Sequence, residues 1–147
     1  MDERYTRYIE NLRRVRALAR PEAHAGMKAA DLLEEIKQNA AESYTLMQQS
    51  NAILDEVIFS RRAEDLTEEE AAGLSEFAGK LFNYANSEDS GIAYKIHALL
   101  LGYARLKQDD RAIIRELYWA GVTMHYMNVR GDDSSINPLG KQVRGYF

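Results

Sequence analysis

Residues 94–127, YKIHALLLGYARLKQDDRAIIRELYWAGVTMHYM, decide the fold. Two apolar runs of helical spacing flank the polar tetrad Lys107-Gln108-Asp109-Asp110, so the stretch reads as a helical hairpin. In its first arm Leu99, Leu100 and Leu101 stand in a row with Ile96, Tyr103 and Leu106 around them, and apolar side chains therefore cover most of the circumference. Such a helix must be packed on several sides. The expectation is a layered all-α domain with this helix at its centre.

Upstream, Thr67 followed by Glu70 is a capping-box signature, which starts a helix at Thr67. Glu68, Glu69 and Glu70 then occupy the first turn, where carboxylates favour the positive end of the helix dipole, and Leu74, Phe77, Ala78, Leu81 and Ala85 form its buried stripe. Asn86 to Gly91 reads as the turn and cap before the hairpin, and Arg61 to Leu66 as a charged connection.

From Ala25 the positions Ala29, Leu32, Leu33, Ile36, Ala40, Tyr44, Met47, Leu54 and Ile58 keep a helical period, predicting one long helix or two in succession. Gln48-Gln49-Ser50-Asn51 interrupts the stripe with backbone-competing side chains, which predicts a break or kink there. Glu56 to Ser60 has strand-like composition but continues the helical stripe. The first helix should span Asp2 to Ala19, buried through Tyr5, Tyr8, Ile9, Leu12 and Val15 and stopped by Pro21, which suits the first turn of the next helix. After Val129, Arg130 to Gly140 reads as a loop. The sum is five or six antiparallel helices in a bundle or a short helical repeat.

The 147 residues fit one domain, 1–147, with 46% hydrophobic and 29% charged residues, an ordinary globular mixture. Without cysteine there is neither a disulfide framework nor a thiolate metal site, which suits a cytoplasmic protein. The N-terminus is charged throughout, and no apolar run reaches the roughly 18 residues of a membrane span. A net charge of −4 gives no global attraction to nucleic acid. The six arginines of the first 20 residues read as the wet face of the first helix.

With Gly102, Tyr118 and Gly121 in place, the hairpin resembles a tetratricopeptide repeat, whose first helix carries a small residue and whose second carries a large aromatic followed by a small one. Arg105, Asp109 and Ile114 depart from that pattern. The resemblance implies that Gly102, on the stripe Lys95, Ala98, Gly102 and Arg105, lets the second arm approach closely. Together with the ending NPLGKQVRGYF, which reads as if a longer protein continued beyond it, the chain also resembles the helical N-terminal sensory segments of bacterial signalling proteins such as diguanylate cyclases of the GGDEF type. That likeness implies that any output activity lies outside this chain.

His24, His97 and His125 are the candidates for acid–base or metal chemistry. None stands in a ligand pair, and no H-E-x-x-H motif is present, so no metal and no cofactor is expected. His97 and His125 lie on opposite arms of the hairpin, where they read first as core histidines bonded to neighbours. AHAGMK, residues 23–28, resembles the phosphoacceptor segment of histidine phosphotransfer domains, with its spacing off by one residue and Pro21 placing His24 in a first turn. Asp109-Asp110 and Asp132-Asp133 fall in turns, as backbone caps, and no phosphate-cradling glycine loop occurs.

These readings converge on a binding module without catalytic residues, the sensing or interaction part of a bacterial signalling protein. Its candidate binding residues are Ile96, His97, Leu99, Tyr103, Tyr118 and His125. The expected partner is a protein, a peptide, a small ligand or a second copy of the chain, with neither nucleic acid nor membrane insertion. The alternatives are phosphotransfer through His24 and a purely structural dimerisation module.

Overall fold

A computed structural model describes residues 2–20, 24–82 and 87–126. The chain divides into two compact units, Met1–Phe59 and Ser60–Phe147. Its α-helices are α1 (Glu3–Leu18), α2 (Ala29–Leu54), α3 (Glu68–Phe82), α4 (Ser87–Leu106) and α5 (Asp110–Tyr126), and among the described residues there is no strand. The fold class is all-α, as the sequence predicts.

In the first unit α1 starts where Asp2 caps it, the Asp2 carboxylate accepting the Arg4 backbone N–H at 2.8 Å. The Arg4 guanidinium beside it holds the Asp2 carboxyl below its usual range. α1 packs antiparallel along α2, in a register marked by Arg4 to Glu56 at 2.7 Å, Asn11 to Ser50 at 3.3 Å and Arg14 to Glu42 at 2.8 Å. Buried residues include Tyr5, Tyr8 and Ile9 of α1, Ile53 and Leu54 of α2, and Val57 and Ile58 beyond it.

Three expectations for this unit are corrected. α2 runs without a break through Gln48 to Asn51, because the polar groups there find partners without unwinding the helix. Ser50 is buried and accepts a hydrogen bond from Asn11 Nδ2, and Gln48 Nε2 donates to the Tyr44 hydroxyl one turn back. The irregularity comes later, at Asp55–Phe59, where the helix widens to π geometry. Second, α2 begins at Ala29 rather than near Ala25, because Gly26 adopts φ +82°, a left-handed conformation that no helix can contain. Third, Leu33, Ile36, Tyr44 and Met47 of the anticipated stripe are exposed; its Leu32, Leu54 and Ile58 are covered as expected, together with Asn39, Ser43, Leu46 and Ser50, which the stripe did not include. At 3.6 residues per turn the covered side lies about 100° around the helix from the predicted one.

In the second unit α4 packs against α3, against α5 and against a 3-10 turn at Ala63–Asp65, which makes it the central helix that its apolar circumference requires. The core includes Leu74, Phe77, Ala78 and Leu81 from α3, Ile96, Leu100, Leu101 and Ala104 from α4, and Leu117, Ala120 and Met124 from α5. Each large side chain among them stabilises the fold by about 1.5–3 kcal/mol relative to exposure. The capping box forms in full: Glu70 N–H donates to Thr67 Oγ1 and Thr67 N–H donates to Glu70 Oε1, both at 3.1 Å. Ala85 lies outside the described residues.

The α4–α5 turn is a Schellman motif, with Asp109 N–H donating to Ala104 O and Gln108 N–H to Arg105 O, both at 3.1 Å. Gln108 takes the left-handed position, φ 53°, and Asp109 Oδ1 caps α5 by accepting from Ala112 N–H at 3.2 Å. Two corrections apply in this unit. α4 begins at Ser87, inside the stretch read as a turn, because the burial of Ser90 and Ala93 carries the packed helix back through residues that composition favours in turns. Gly102 does not serve the approach of α5; a Cβ there would meet the Ala63 Cβ at 3.0 Å, so the glycine makes room for the 3-10 turn.

Candidate functional site

The antiparallel hairpin sets His97, near the middle of α4, opposite Glu116 in the second turn of α5. His97 Nδ1–H donates to Glu116 Oε2 at 2.7 Å, and both side chains are over nine-tenths buried. A buried carboxylate needs partners, and Glu116 has a second in Arg115 Nε, 3.5 Å from Oε1, whose own side chain is largely exposed. Trp119 lies one turn beyond Arg115, its ring stacked on His97 at 6.2 Å and 16°, with Tyr118 against it edge-on at 5.4 Å.

Two cavities meet at this cluster. One of about 310 Å³ is lined by Ser75, Gly79, His97, Arg115, Glu116 and Trp119. The other, about 700 Å³ and open to solvent, is a cleft whose walls include Thr67, Ser75, Tyr103, Lys107, Arg115 and Glu116. Ser75, Arg115 and Glu116 belong to both, so the Arg115–Glu116 pair stands between them. Lys107 Nζ sits 5.6 Å from the Tyr103 ring centroid, a cation over an aromatic face at the rim. The larger cleft thus sets the cations Lys107 and Arg115 among the carboxylates Glu68, Asp109 and Glu116 and the hydroxyls of Thr67 and Ser75, and the planar indole of Trp119 lines the smaller cavity.

Of the residues predicted from sequence, His97 and Tyr103 line these cavities. Ile96 does not: it is fully buried in the core. Leu99 is half-buried, and Tyr118 is exposed and reaches the site through Trp119. The His125 side chain lies outside the described residues. His24 sits half-buried in a 3-10 turn of the α1–α2 connection rather than in an α-helix.

Glu116, Arg115 and Lys107 were missed by the sequence reading, whereas Trp119 stands out there among the aromatics as part of a candidate binding surface. A signal existed for Glu116, which interrupts the apolar α5 positions Ile113, Leu117 and Ala120 with a carboxylate, the mark of a buried charge awaiting a partner. Among the described residues no three His, Asp or Glu side chains converge as a metal site would require, and no helix is long and apolar enough to cross a membrane.

No protein-family model matches the chain, nor does any curated protein or solved structure.

Proposed function

We propose that this chain is a non-catalytic binding module whose second unit receives a small ligand, or the side chain of a partner protein, in the cleft beside Arg115. The cleft between α3, α4 and α5 carries the proposal: it is concave, open, and walled by a few polar groups on a rigid helical frame. Lys107 and Arg115 can pair an acidic group such as a carboxylate or phosphate, while Glu68 and Asp109 on the same walls disfavour a ligand of high negative charge; Trp119, in the adjoining smaller cavity, suits a flat ring. The tetratricopeptide-like hairpin adds the role of a sensing or interaction segment in a bacterial signalling protein. In that role, ligand binding favours one packing of α3 on α4 and α5 through unequal affinities for two states.

Thermal-shift and calorimetric titration with small aromatic carboxylates and phosphates tests this reading. Binding that weakens at least tenfold in Arg115→Ala, with helix content unchanged, supports it. Absence of binding, or equal binding by wild type and Arg115→Ala, overturns it.

The His97–Glu116 bond favours a second reading, since a histidine oriented by a carboxylate at a cavity wall is also how a general base is held. Turnover of a bound compound by wild type, lost in His97→Gln with binding retained, would select that reading.

A further inference from the structure

Leu33, Ile36, Ala40, Tyr44 and Met47 form one exposed stripe along α2, with Leu33 at 55% and Tyr44 at 65% exposure. Between Ala29 and Asn51, Lys37 is the only charged residue on the half of the helix centred on this stripe; Asp31, Glu34, Glu35 and Glu42 all lie on the other half. α1 covers a different side, about 100° away, and has no exposed large apolar residue of its own among those described.

The stripe is symmetric about Ala40: Ile36 and Tyr44 stand four residues to either side, Leu33 and Met47 seven. We propose that α2 pairs antiparallel with α2 of a second copy of this chain, about a two-fold axis through Ala40. An isologous antiparallel contact requires that symmetry, because residue i must meet residue j while j meets i. Leu33 then packs on Met47 of the other copy and Ile36 on Tyr44, each twice, and the smallest side chain sits at the crossing, where the backbones come closest. Lys37 comes beside Tyr44 of the other copy, a cation near an aromatic ring, and no like charges face each other along the contact. The antiparallel arrangement also opposes the two helix dipoles. α2 then meets α1 on one face and the second copy on another about 100° away, so the two α2 helices form the middle of the assembly with each α1 outside it. This inference is independent of the cleft and of the binding role proposed for it.

The chain has no cysteine, so single-cysteine substitutions report the contact directly. Sedimentation equilibrium of the full chain should give a concentration-dependent dimer, and Ile36→Glu should weaken it at least tenfold while circular dichroism shows unchanged helix content. Under mild oxidation Ala40→Cys should cross-link to itself. Leu33→Cys should not, since its two copies lie about 21 Å apart along the axis, but an equimolar mixture of Leu33→Cys and Met47→Cys should give the mixed dimer. Self-cross-linking of Leu33→Cys would show a parallel pair and overturn the proposal. So would a strict monomer at millimolar concentration without cross-links, meaning that something else covers the stripe.

Discussion

The His97 imidazole and the Glu116 carboxylate, nineteen residues apart in sequence, meet at 2.7 Å where both are almost wholly removed from solvent. The bond ties the two arms of the hairpin together at the wall of both cavities. Its partners are unequal, since Glu116 also has Arg115 while the buried Nδ1–H depends on Glu116.

Glu116→Ala should therefore destabilise the second unit by about 1–3 kcal/mol, the penalty of leaving a buried donor without an acceptor. Urea unfolding of wild type, Glu116→Ala, His97→Ala and the double variant measures the coupling, and a coupling energy of at least about 0.5 kcal/mol is expected. Additive effects of the two single changes would show that the bond contributes nothing of its own.

Gly102→Ala should destabilise by about 1–3 kcal/mol, because its new methyl group meets Ala63 Cβ at 3.0 Å. Adding Ala63→Gly removes the opposing carbon, so the double variant should recover most of the loss. Thermal melts of the four proteins give the answer, and a Gly102→Ala protein as stable as wild type would contradict the tight fit.

Gln108 holds a left-handed conformation that disfavours any side chain. Gln108→Gly should stabilise the α4–α5 turn by about 0.5–1 kcal/mol, seen as a melting temperature raised by a few degrees. No gain, or a loss, would mean that the glutamine side chain offsets its backbone strain.

At the start of α3, the Thr67 backbone N–H, and then the Thr67 hydroxyl and Arg61, hold the Glu70 carboxyl below its ordinary value. A carboxyl whose folded pKa is depressed favours folding above its unfolded value, and that contribution is lost as pH falls through the lower folded value. Stability measured from pH 7 to pH 3 should thus fall more steeply in wild type than in Glu70→Gln, the difference opening below the unfolded carboxyl value near 4.5. Thr67→Ala should cost about 1 kcal/mol at pH 7. Parallel acid limbs for wild type and Glu70→Gln would rule out this account.

Short-range signals proved readable in the sequence. The capping box at Thr67, the end of the first helix ahead of Pro21 (expected at Ala19, found at Leu18), the polar tetrad at the hairpin turn and the central place of α4 each depend on residues close together in the chain, and each is in the structure. What failed depended on partners far away in sequence. The apolar period of α2 is genuine, but periodicity cannot say which of two adjoining faces α1 takes, so Leu33 and Tyr44 were misassigned. The polar run at Gln48 to Asn51 looked like a break because Asn11, the partner of Ser50, lies thirty-nine residues upstream. For the same reason His97 was found and Glu116 was not: a histidine attracts notice alone, whereas a glutamate in a charged sequence stands out only once its burial is known.

The wide turn at Asp55–Phe59 gives the end of α2 a property that its regular portion lacks. A π turn has the shape left when an α-helix absorbs one surplus residue, so removing a residue there can be met by tightening back to regular winding. The same deletion between Leu33 and Met47 has no slack to draw on and would swing half of the exposed stripe about 100° around the axis. Length variation in this helix should therefore gather at its far end, with the stretch around Ala40 holding constant length even where its residues change.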